Sequence, residues 1–404
     1  MENKPEGWLK VIGIGEDGLE GVSHKSKKLI KSAKVLFGGK RHLQMVPDGK
    51  AEKIVWAKRM REAVPKILES RGQNIVVLAS GDPMCYGIGT KLLRHLEFGE
   101  VEIHPVVNSF SLACSRMGWS LPDVETMTIH GRPVTMLHPY LYPGARILCL
   151  SEDASSPREV ASLLSSRGFG HSRITVLENM GGSREQIYNG KAKSWNFSEG
   201  SALNTLAIEC IEEAKPDLLS RIAGLPDSAF EHDGKLTKQE VRSSVLAKLM
   251  PFPDHLLWDI GAGCGSVAIE WMRSHPNCHA IAVERFDDRL KMIRNNADAL
   301  GAPMLETIQG EFPGIIHQLP RPDAVFLGGG ISFESLERCW EALAPHGRLV
   351  SNAVTLESER ILLDWQANQG GELTKFSIAR AESVGPFQGW RPLMPVTQLS
   401  IVKR

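Results

Sequence analysis

Short apolar runs alternate with amphipathic segments along the first half of the chain. The runs KVIGIG, KVLFGG and NIVVLASG have the length of strands and are apolar almost throughout. Helical spacing of apolar residues marks the segments HKSKKLIKSA, YGIGTKLLRHLE and PREVASLLSSRG. Strands buried on both faces and alternating with helices are typical of a parallel sheet covered by helices. The pattern predicts an α/β fold with a largely parallel, covered sheet.

The alternation lapses where charges, prolines and glycines accumulate, in EEAKPDLLSRIAGLPDSAFEHDGKLTKQE. Such composition is typical of a linker. We therefore expect a first domain over 1–211, a linker over 212–235 and a second domain over 236–404. The second domain opens with a helix for which Thr237 is the expected N-cap and Glu240 its capping-box partner. It closes with LTKFSIARAE, a loop and MPVTQLSIVKR, which predict an antiparallel strand pair.

The second domain carries a glycine loop, WDIGAGCGSVAIE, between a strand and a helix. Gly261, Gly263 and Gly265 allow a tight turn and a close approach of a ligand to the main chain and the helix N-terminus. Glu284 ends the next strand, where a carboxylate suits the two hydroxyls of a ribose. Ser266 replaces the third glycine of a dinucleotide fingerprint, so a nicotinamide-linked oxidoreductase is disfavoured.

These features resemble class I S-adenosylmethionine-dependent methyltransferases, over about residues 237–404. The resemblance implies a doubly wound, Rossmann-like fold that binds S-adenosylmethionine through Thr237, the three glycines and Glu284. It also puts Glu311 and Phe312 at the position that contacts adenine, although Phe312 departs from the small residue usual there. The segment DAVFLGGG lacks the Asn/Asp-Pro-Pro-Tyr/Phe motif of enzymes that methylate base amines.

The first domain carries a second glycine loop, LASGDPMCYGIG, after a strand. Together with VIGIG, NSFSLACSRMGW, IHGR and VLENMGG, it resembles the tetrapyrrole methylase family, in the branch that acts on corrin precursors. The resemblance covers about residues 8–210. It implies a two-lobed fold with S-adenosylmethionine in the cleft between the lobes. The expected cofactor-binding residues are Gly13, Gly81, Asp82, Pro83 and Ser109.

A chain that joins these two families implies a bifunctional enzyme of corrin-ring synthesis in the cobalamin pathway. The resemblance implies methylation of carbon 5 by the first domain, and methylation of carbon 15 with decarboxylation of an acetate side chain by the second. Two alternatives stay open from the residues. One is a methyltransferase acting on RNA or another macromolecule, and the other is a cofactor-binding scaffold protein.

A tetrapyrrole fringed with carboxylates requires fixed cations at the rim of its cleft, and arginine suits this because its planar fork binds carboxylates. We expect Arg132, Lys235 and Arg242 to bind substrate. Further candidates for this role are Arg41, His130, Arg184, His232, Lys238 and Arg391. Decarboxylation calls for a general acid near the ring. His130, His232 and Asp233 are the candidates, and the sequence does not choose among them.

Composition limits the kinds of partner and cellular compartment that we expect for the protein. Lys+Arg and Asp+Glu number 47 each, so a net charge of zero gives no long-range attraction to nucleic acid. The start MENKPEGWLKV has no basic segment followed by an apolar one, and no apolar run spans a bilayer, so we expect neither a signal peptide nor a membrane segment. Seven scattered cysteines without a CxxC or metal-ligand spacing favour reduced thiols in the cytoplasm and no bound metal. Members of both families often self-associate, so the resemblance implies a homo-oligomer.

Overall fold

The computed structural model describes residues 7–56 and 60–404, and the chain divides into two compact units. One unit comprises Met1–Val134 and Tyr142–Asp217, and the other comprises Thr135–Leu141 and Leu218–Arg404. Residues 1–6, on which the expectation about a signal peptide partly rests, lie outside the described residues. Within the described ranges, none of the helices combines the length and the apolar character that a membrane crossing requires.

The first sheet of the first unit is entirely parallel, as the alternating pattern predicts. Its strands are β1 (Leu9–Ile14), β2 (Val35–Gly38), β3 (Glu52–Val55), β4 (Ile75–Ser80) and β5 (Val101–His104), in the order β3-β2-β4-β1-β5. The accompanying helices are α1 (His24–Ser32), α2 (Lys40–Gln44), α3 (Met60–Glu69) and α4 (Ile88–Leu92). Every residue of β1 and β2 is buried, and apart from Lys10 in β1 their sequences carry no charged or polar side chain.

The second sheet of this unit is mostly antiparallel, so the expectation of a largely parallel sheet is wrong here. Its elements are α5 (Ser109–Met117), β6 (Glu125–Thr128), β7 (Arg146–Leu150), α6 (Ser156–Ser166), β8 (Arg173–Glu178), β9 (Gln186–Lys191) and β10 (Asn204–Glu209). The order is β6-β7-β10-β8-β9, and only β6 and β7 run parallel. The reason is local, because β8 returns to β9 through a short loop rather than through a crossover helix.

The second unit is built on a seven-stranded sheet in the order β13-β12-β11-β14-β15-β19-β16. Its strands are β11 (Leu256–Ile260), β12 (His279–Glu284), β13 (Glu306–Gln309), β14 (Ala324–Leu327), β15 (Arg348–Ala353), β16 (Glu372–Phe376) and β19 (Val396–Val402). Its helices are α7 (Gln239–Leu249), α8 (Ser266–Ser274), α9 (Asp287–Leu300), α10 (Phe333–Ala342) and α11 (Leu356–Gln369). The first five strands in chain order are parallel, as in a doubly wound fold.

The expected antiparallel pair at the end of the sequence is confirmed, since β19 lies antiparallel between β15 and β16. The end of LTKFSIARAE and the segment predicted as a loop form a separate two-stranded hairpin, β17 (Ala379–Val384) and β18 (Phe387–Pro392). Its strands are largely exposed, so they lack the apolar alternation that would predict them.

The start of the second unit corrects one expectation. Helix α7 begins at Gln239, its N-cap is Lys238, and no side chain caps it, so the capping box of Thr237 and Glu240 is wrong. The carboxylate of Glu240 pairs instead with Arg380 at 2.7 Å. Ahead of α7, apolar side chains of the segment expected as a linker, such as Phe230, are buried in the core of this unit.

Candidate active sites

The glycine loop of the second unit is a tight turn at the carboxyl end of β11. Gly261, Gly263 and Gly265 have φ angles of +69°, +61° and +79°, a region that favours glycine. A Cβ at Gly261 would lie 2.8 Å from the Cα of Gly329, in the loop after β14. The main chains of two loops therefore approach each other closely beside the first turn of α8.

Glu284 is a buried carboxylate fixed against this loop. Its Oε2 accepts a hydrogen bond from the Gly263 N–H at 3.0 Å. Its Oε1 accepts from the N–H groups of Arg285 and Phe286 at 2.9 and 3.2 Å. The side chain is 3% exposed. The sequence predicted this carboxylate for ribose hydroxyls, and the structure brings it together with the glycine loop.

Asp259 was missed by the motif reasoning, although a carboxylate inside an apolar strand is itself a signal. Its Oδ2 accepts from the Ala268 N–H at 3.0 Å, while Oδ1 is buried without a hydrogen-bond partner. Burial raises the pKa of Asp259 to about 7, and the nearby Glu284 adds to the increase. An acceptor buried without a donor, next to a loop that admits a ligand, points to a ligand that brings a donor.

The adenine-position residues and Thr237 stay predictions, and their places differ. Glu311 is exposed, and its carboxylate forms an ion pair with Arg285 at 3.3 Å. Arg285 is the residue that follows Glu284 in the sequence. Phe312 packs in the apolar core, with its ring centroid 6.3 Å from that of Trp258. Thr237 is partly buried ahead of α7.

The segment from His232 to Lys235 runs beside the glycine loop. The carbonyl oxygen of Lys235 lies 3.8 Å from the place where a Cβ of Gly263 would stand. Arg289 donates to the Asp233 carboxylate at 2.7 Å, and this hydrogen bond lowers the pKa of Asp233. A carboxyl with a lowered pKa is a poor proton donor at neutral pH, so Asp233 does not suit the role of general acid. His232 is exposed, and its Nδ1 accepts from the Gly234 N–H at 3.0 Å.

Arg242 contradicts the expectation that it binds substrate. Its side chain is 0% exposed, and its Nε donates to Glu270 at 2.6 Å. Its Nη1 donates to Asp227 at 3.2 Å and to the carbonyl of Thr237 at 2.5 Å, and its Nη2 donates to the carbonyl of Leu225. With its donors engaged inside the core, Arg242 joins the chain ahead of α7 to α8.

In the first unit, the predicted cofactor loops meet at the carboxyl ends of β1 and β4. A Cβ at Gly13 would lie 1.8 Å from the carbonyl oxygen of Gly81, so only glycine allows this approach. Gly81 itself has a φ angle of +55°. Asp82 accepts from the Met84 N–H at 2.8 Å, and Pro83 completes the turn. The structure therefore brings Gly13 together with the Gly81 loop.

Ser109 begins α5, which Asn108 caps by accepting from the Ser111 N–H at 2.9 Å. The Cα of Asn108 would lie 3.2 Å from a Cβ at Gly81, so this helix start adjoins the same loop. The turn that follows β4 and the N-terminus of α5 thus lie side by side, an arrangement that is also found in anion- and nucleotide-binding sites.

His130 and Arg132 lie on an exposed turn after β6. Nδ1 of His130 is 3.3 Å from a carboxylate oxygen of Glu152, and its side chain is 72% exposed. The guanidinium of Arg132 stands over the Tyr86 ring at 5.9 Å from its centroid, within the range of a cation–π contact. Both side chains are accessible, and neither contacts the Gly13 and Gly81 pair through a hydrogen bond.

Two family models match the chain, one in each half. Tetrapyrrole (corrin/porphyrin) methylases match over residues 9–195, and a precorrin methyltransferase domain matches over residues 228–403. With the folds and glycine loops above, they define a fusion of two S-adenosylmethionine-dependent methyltransferases. One belongs to the tetrapyrrole methylases, and the other has the doubly wound fold.

Relatives identify the family. The chain is 44% identical to precorrin-6Y C(5,15)-methyltransferase [decarboxylating] of Sinorhizobium sp, over 98% of this chain and 96% of that protein. The chain belongs to the precorrin-6Y C(5,15)-methyltransferase (decarboxylating) family, which supports the corrin interpretation over the macromolecular and scaffold alternatives.

Two shorter relatives each match less than half of the chain. Cobalt-precorrin-7 C(5)-methyltransferase of Salmonella typhimurium is 32% identical over 45% of this chain and 89% of that protein. Probable cobalt-precorrin-6B C(15)-methyltransferase (decarboxylating) of Pyrobaculum calidifontis is 31% identical over 43% of this chain and 92% of that protein.

The residues present fit S-adenosylmethionine. The cofactor carries an ammonium group and two ribose hydroxyls as donors, and the second unit offers the carboxylate of Glu284 and the unpaired Oδ1 of Asp259 as acceptors beside a loop with three glycines. The first unit offers the Gly13 and Gly81 turn and the start of α5.

Proposed function

We propose that the chain methylates two meso carbons of a precorrin and decarboxylates one acetate side chain, as a step in cobalamin biosynthesis. The observation that carries this proposal is the presence of two separate glycine-lined sites in a chain that resembles one named bifunctional enzyme along nearly its whole length.

We assign carbon 5 to the first domain, over 1–211, and carbon 15 with decarboxylation to the second, over 236–404. Support comes from the two shorter relatives, because their names divide the same two carbons between two proteins of about half the length. The structure also has two compact units, although residues 135–141 and 218–235 belong to the second of them.

The chemistry asks little covalent participation from the protein. Bound S-adenosylmethionine supplies an electrophilic methyl group on a sulfonium. The protein aligns an electron-rich ring carbon with that group and excludes water. In the second domain, Gly261, Gly263 and Gly265 give the backbone room for the cofactor, and Glu284 accepts hydrogen bonds from its hydroxyls. In the first domain, Gly13, Gly81, Asp82, Pro83 and Ser109 serve the same purpose.

Decarboxylation leaves an electron pair that the conjugated ring can accept when the ring is protonated. We assign the proton donor to His232, because its segment runs beside the glycine loop of the second domain, whereas Asp233 is held as an ion pair with Arg289. Lys235, exposed in the same segment, is the proposed contact for a ring carboxylate there. Arg132 has this role in the first domain.

Calorimetry on the full chain with S-adenosylhomocysteine tests the two-site proposal. Wild type should bind two molecules per chain, and the variants Gly263→Arg and Gly81→Arg should each retain one binding site.

Mass spectrometry of the tetrapyrrole product, after incubation with precorrin-6Y and S-adenosylmethionine, should show two added methyl groups and one lost carboxyl group. A single binding site in the folded wild type would contradict a chain with two methyl-transfer centres.

We also propose that the protein acts in the cytoplasm as a homo-oligomer and has no nucleic-acid partner. The cysteines are all free thiols, which suits a reducing compartment, and the balanced charge gives no general attraction to polyanions. Light scattering after size exclusion tests the oligomer, since a monomeric mass at micromolar concentration would contradict it.

A further inference from the structure

A charged cluster lies at the carboxyl ends of three adjacent parallel strands in the first unit. Glu16 follows β1, Arg41 lies in α2 directly after β2, and Ser80 is the last residue of β4. These strands are neighbours in the order β2-β4-β1. Ligands of parallel sheets bind at this edge. The cluster also adjoins the proposed cofactor loop, because Ser80 immediately precedes Gly81.

The guanidinium of Arg41 is held from several sides. Its Nη1 donates to the carboxylate of Glu16. Its Nη2 donates to Ser80 Oγ at 3.1 Å and lies 2.9 Å from His42 Nε2, which is also 3.0 Å from Ser80 Oγ. Burial, and then the charge of Arg41, lowers the pKa of His42 to about 4, so at neutral pH its ring accepts from the guanidinium.

A second guanidinium reaches the same carboxylate from the loop between β8 and β9. Nη2 of Arg184 is 3.6 Å from Glu16 Oε2, and the Arg184 side chain is 74% exposed. The backbone of the loop is fixed, since Asn179 Nδ2 donates to the carbonyl of Arg184 at 3.4 Å. The next residue, Glu185, accepts two hydrogen bonds from Arg116 at 2.6 and 2.9 Å.

Two guanidinium groups therefore share one carboxylate, and the cluster carries an excess positive charge. Arg184 is close enough to Arg41 to lower its pKa by repulsion, after the larger effect of burial. The Arg41 side chain is one-third exposed, so part of its planar fork faces solvent. A second anion would relieve the repulsion and use the free donors of both groups.

We propose that Arg41 and Arg184 together bind a peripheral carboxylate of the tetrapyrrole in the first domain. Glu16, His42 and Ser80 are positioning residues, because they act on the substrate only through the orientation of Arg41. This inference rests on the proposed carbon-5 methylation by that domain, and it deepens that proposal by naming the contact that holds the ring.

The test uses the full chain, precorrin-6Y and S-adenosylmethionine labelled with ¹³C in its methyl group. The methyl resonances at carbons 5 and 15 then report the two transfers separately. Arg41→Met should raise the KM for carbon-5 methylation about ten- to hundredfold, the loss expected for hydrogen bonds to a charged group. Arg41→Lys should lie between Arg41→Met and wild type, because it keeps the charge without the fork.

Two matched measurements keep the result interpretable. Arg71→Met removes another arginine that is ion-paired with a glutamate, Glu100, near the start of β5 at the other edge of the sheet, and it should leave the KM unchanged. Calorimetry with S-adenosylhomocysteine should still find two sites in Arg41→Met. For positioning, His42→Leu should raise the KM, and His42→Gln, which restores an acceptor, should recover most of the loss.

The outcomes are distinct. An unchanged carbon-5 KM in Arg41→Met would overturn the inference, and so would the loss of one S-adenosylhomocysteine site in that variant. A wild type that binds one molecule, or that adds no methyl at carbon 5, would overturn the proposed function itself.

Discussion

Replacing Arg242 by Met should destabilise the second unit without a specific effect on substrate binding. The change leaves the carboxylate of Glu270, which is 2% exposed, without its cation inside the core. Glu270 keeps hydrogen bonds from the N–H groups of Gly224 and Leu225 at 2.6 and 3.0 Å, which offset only part of the desolvation. Removing one partner of a buried ion pair costs about 3–5 kcal/mol.

Hydrogen–deuterium exchange with mass spectrometry measures this loss in peptides from β11 and α8. A fall of that size should accelerate exchange through global opening by about 100-fold to several thousand-fold, since about 1.4 kcal/mol is tenfold. The double variant Arg242→Met/Glu270→Gln should be more stable than the single variant, because no unpaired charge stays buried. Exchange at the wild-type rate, combined with a higher KM for precorrin-6Y, would refute the reasoning and restore Arg242 as a substrate contact.

Three other predictions concern the glycine loop. Glu284→Gln puts an amide N–H against a backbone N–H, so the Kd of S-adenosylhomocysteine at the second-domain site should rise about tenfold or more by calorimetry, whereas exposed Glu311→Gln should change it less. Asp259 keeps its proton up to about pH 7 in the folded state, whereas in the unfolded state it loses the proton above its ordinary pKa of 3.8. As pH rises from 3.8 to 7, wild type should therefore lose stability relative to Asp259→Asn. Urea titrations should show a loss in the free energy of unfolding of about 4 kcal/mol at most. Gly261→Ala should abolish one binding site through collision with a neighbouring main chain, whereas Gly330→Ala, at a φ of +68° with open space, should retain it.

Each of these predictions has a contrary outcome. Equal affinities in Glu284→Gln and wild type would remove Glu284 from the cofactor site. A stability difference between wild type and Asp259→Asn that does not vary with pH would mean that Asp259 ionises normally in the fold. Two intact sites in Gly261→Ala would mean that the close approach of the two loops is not required for binding.

Features that depend on the local pattern of apolar residues and glycines could be predicted from the sequence. Runs that are apolar almost throughout, such as β1 and β4, identified buried parallel strands, because burial on both faces leaves no polar alternation. Alternating glycines identified the loop at Gly261, since three positive φ angles require them. Strands β9 and β18 were missed, because exposed strands have no apolar period to detect.

Side-chain partners over long sequence separations could not be predicted in this way. Arg242 was among the cations that we expected, from the sequence, to bind substrate. Its partner Glu270 is 28 residues away on another helix and becomes a neighbour only through packing. The same holds for the convergence of Glu16, Arg41 and Ser80, which the strand order creates. A list of cations in the sequence therefore contains buried structural arginines and accessible substrate-binding candidates alike. Only the burial of each side chain and its partners in the fold distinguish the two.

The placement of β19 between β15 and β16 has a consequence for synthesis on the ribosome. β16 emerges before β19, the strand that joins it to the sheet. Until residues 396–402 have emerged, β15 and β16 each present an unpaired edge, and such edges recruit strands from other chains. A nascent chain paused before this point is expected to need a chaperone, whereas the first unit, whose strands are all made earlier, can complete its sheets during translation.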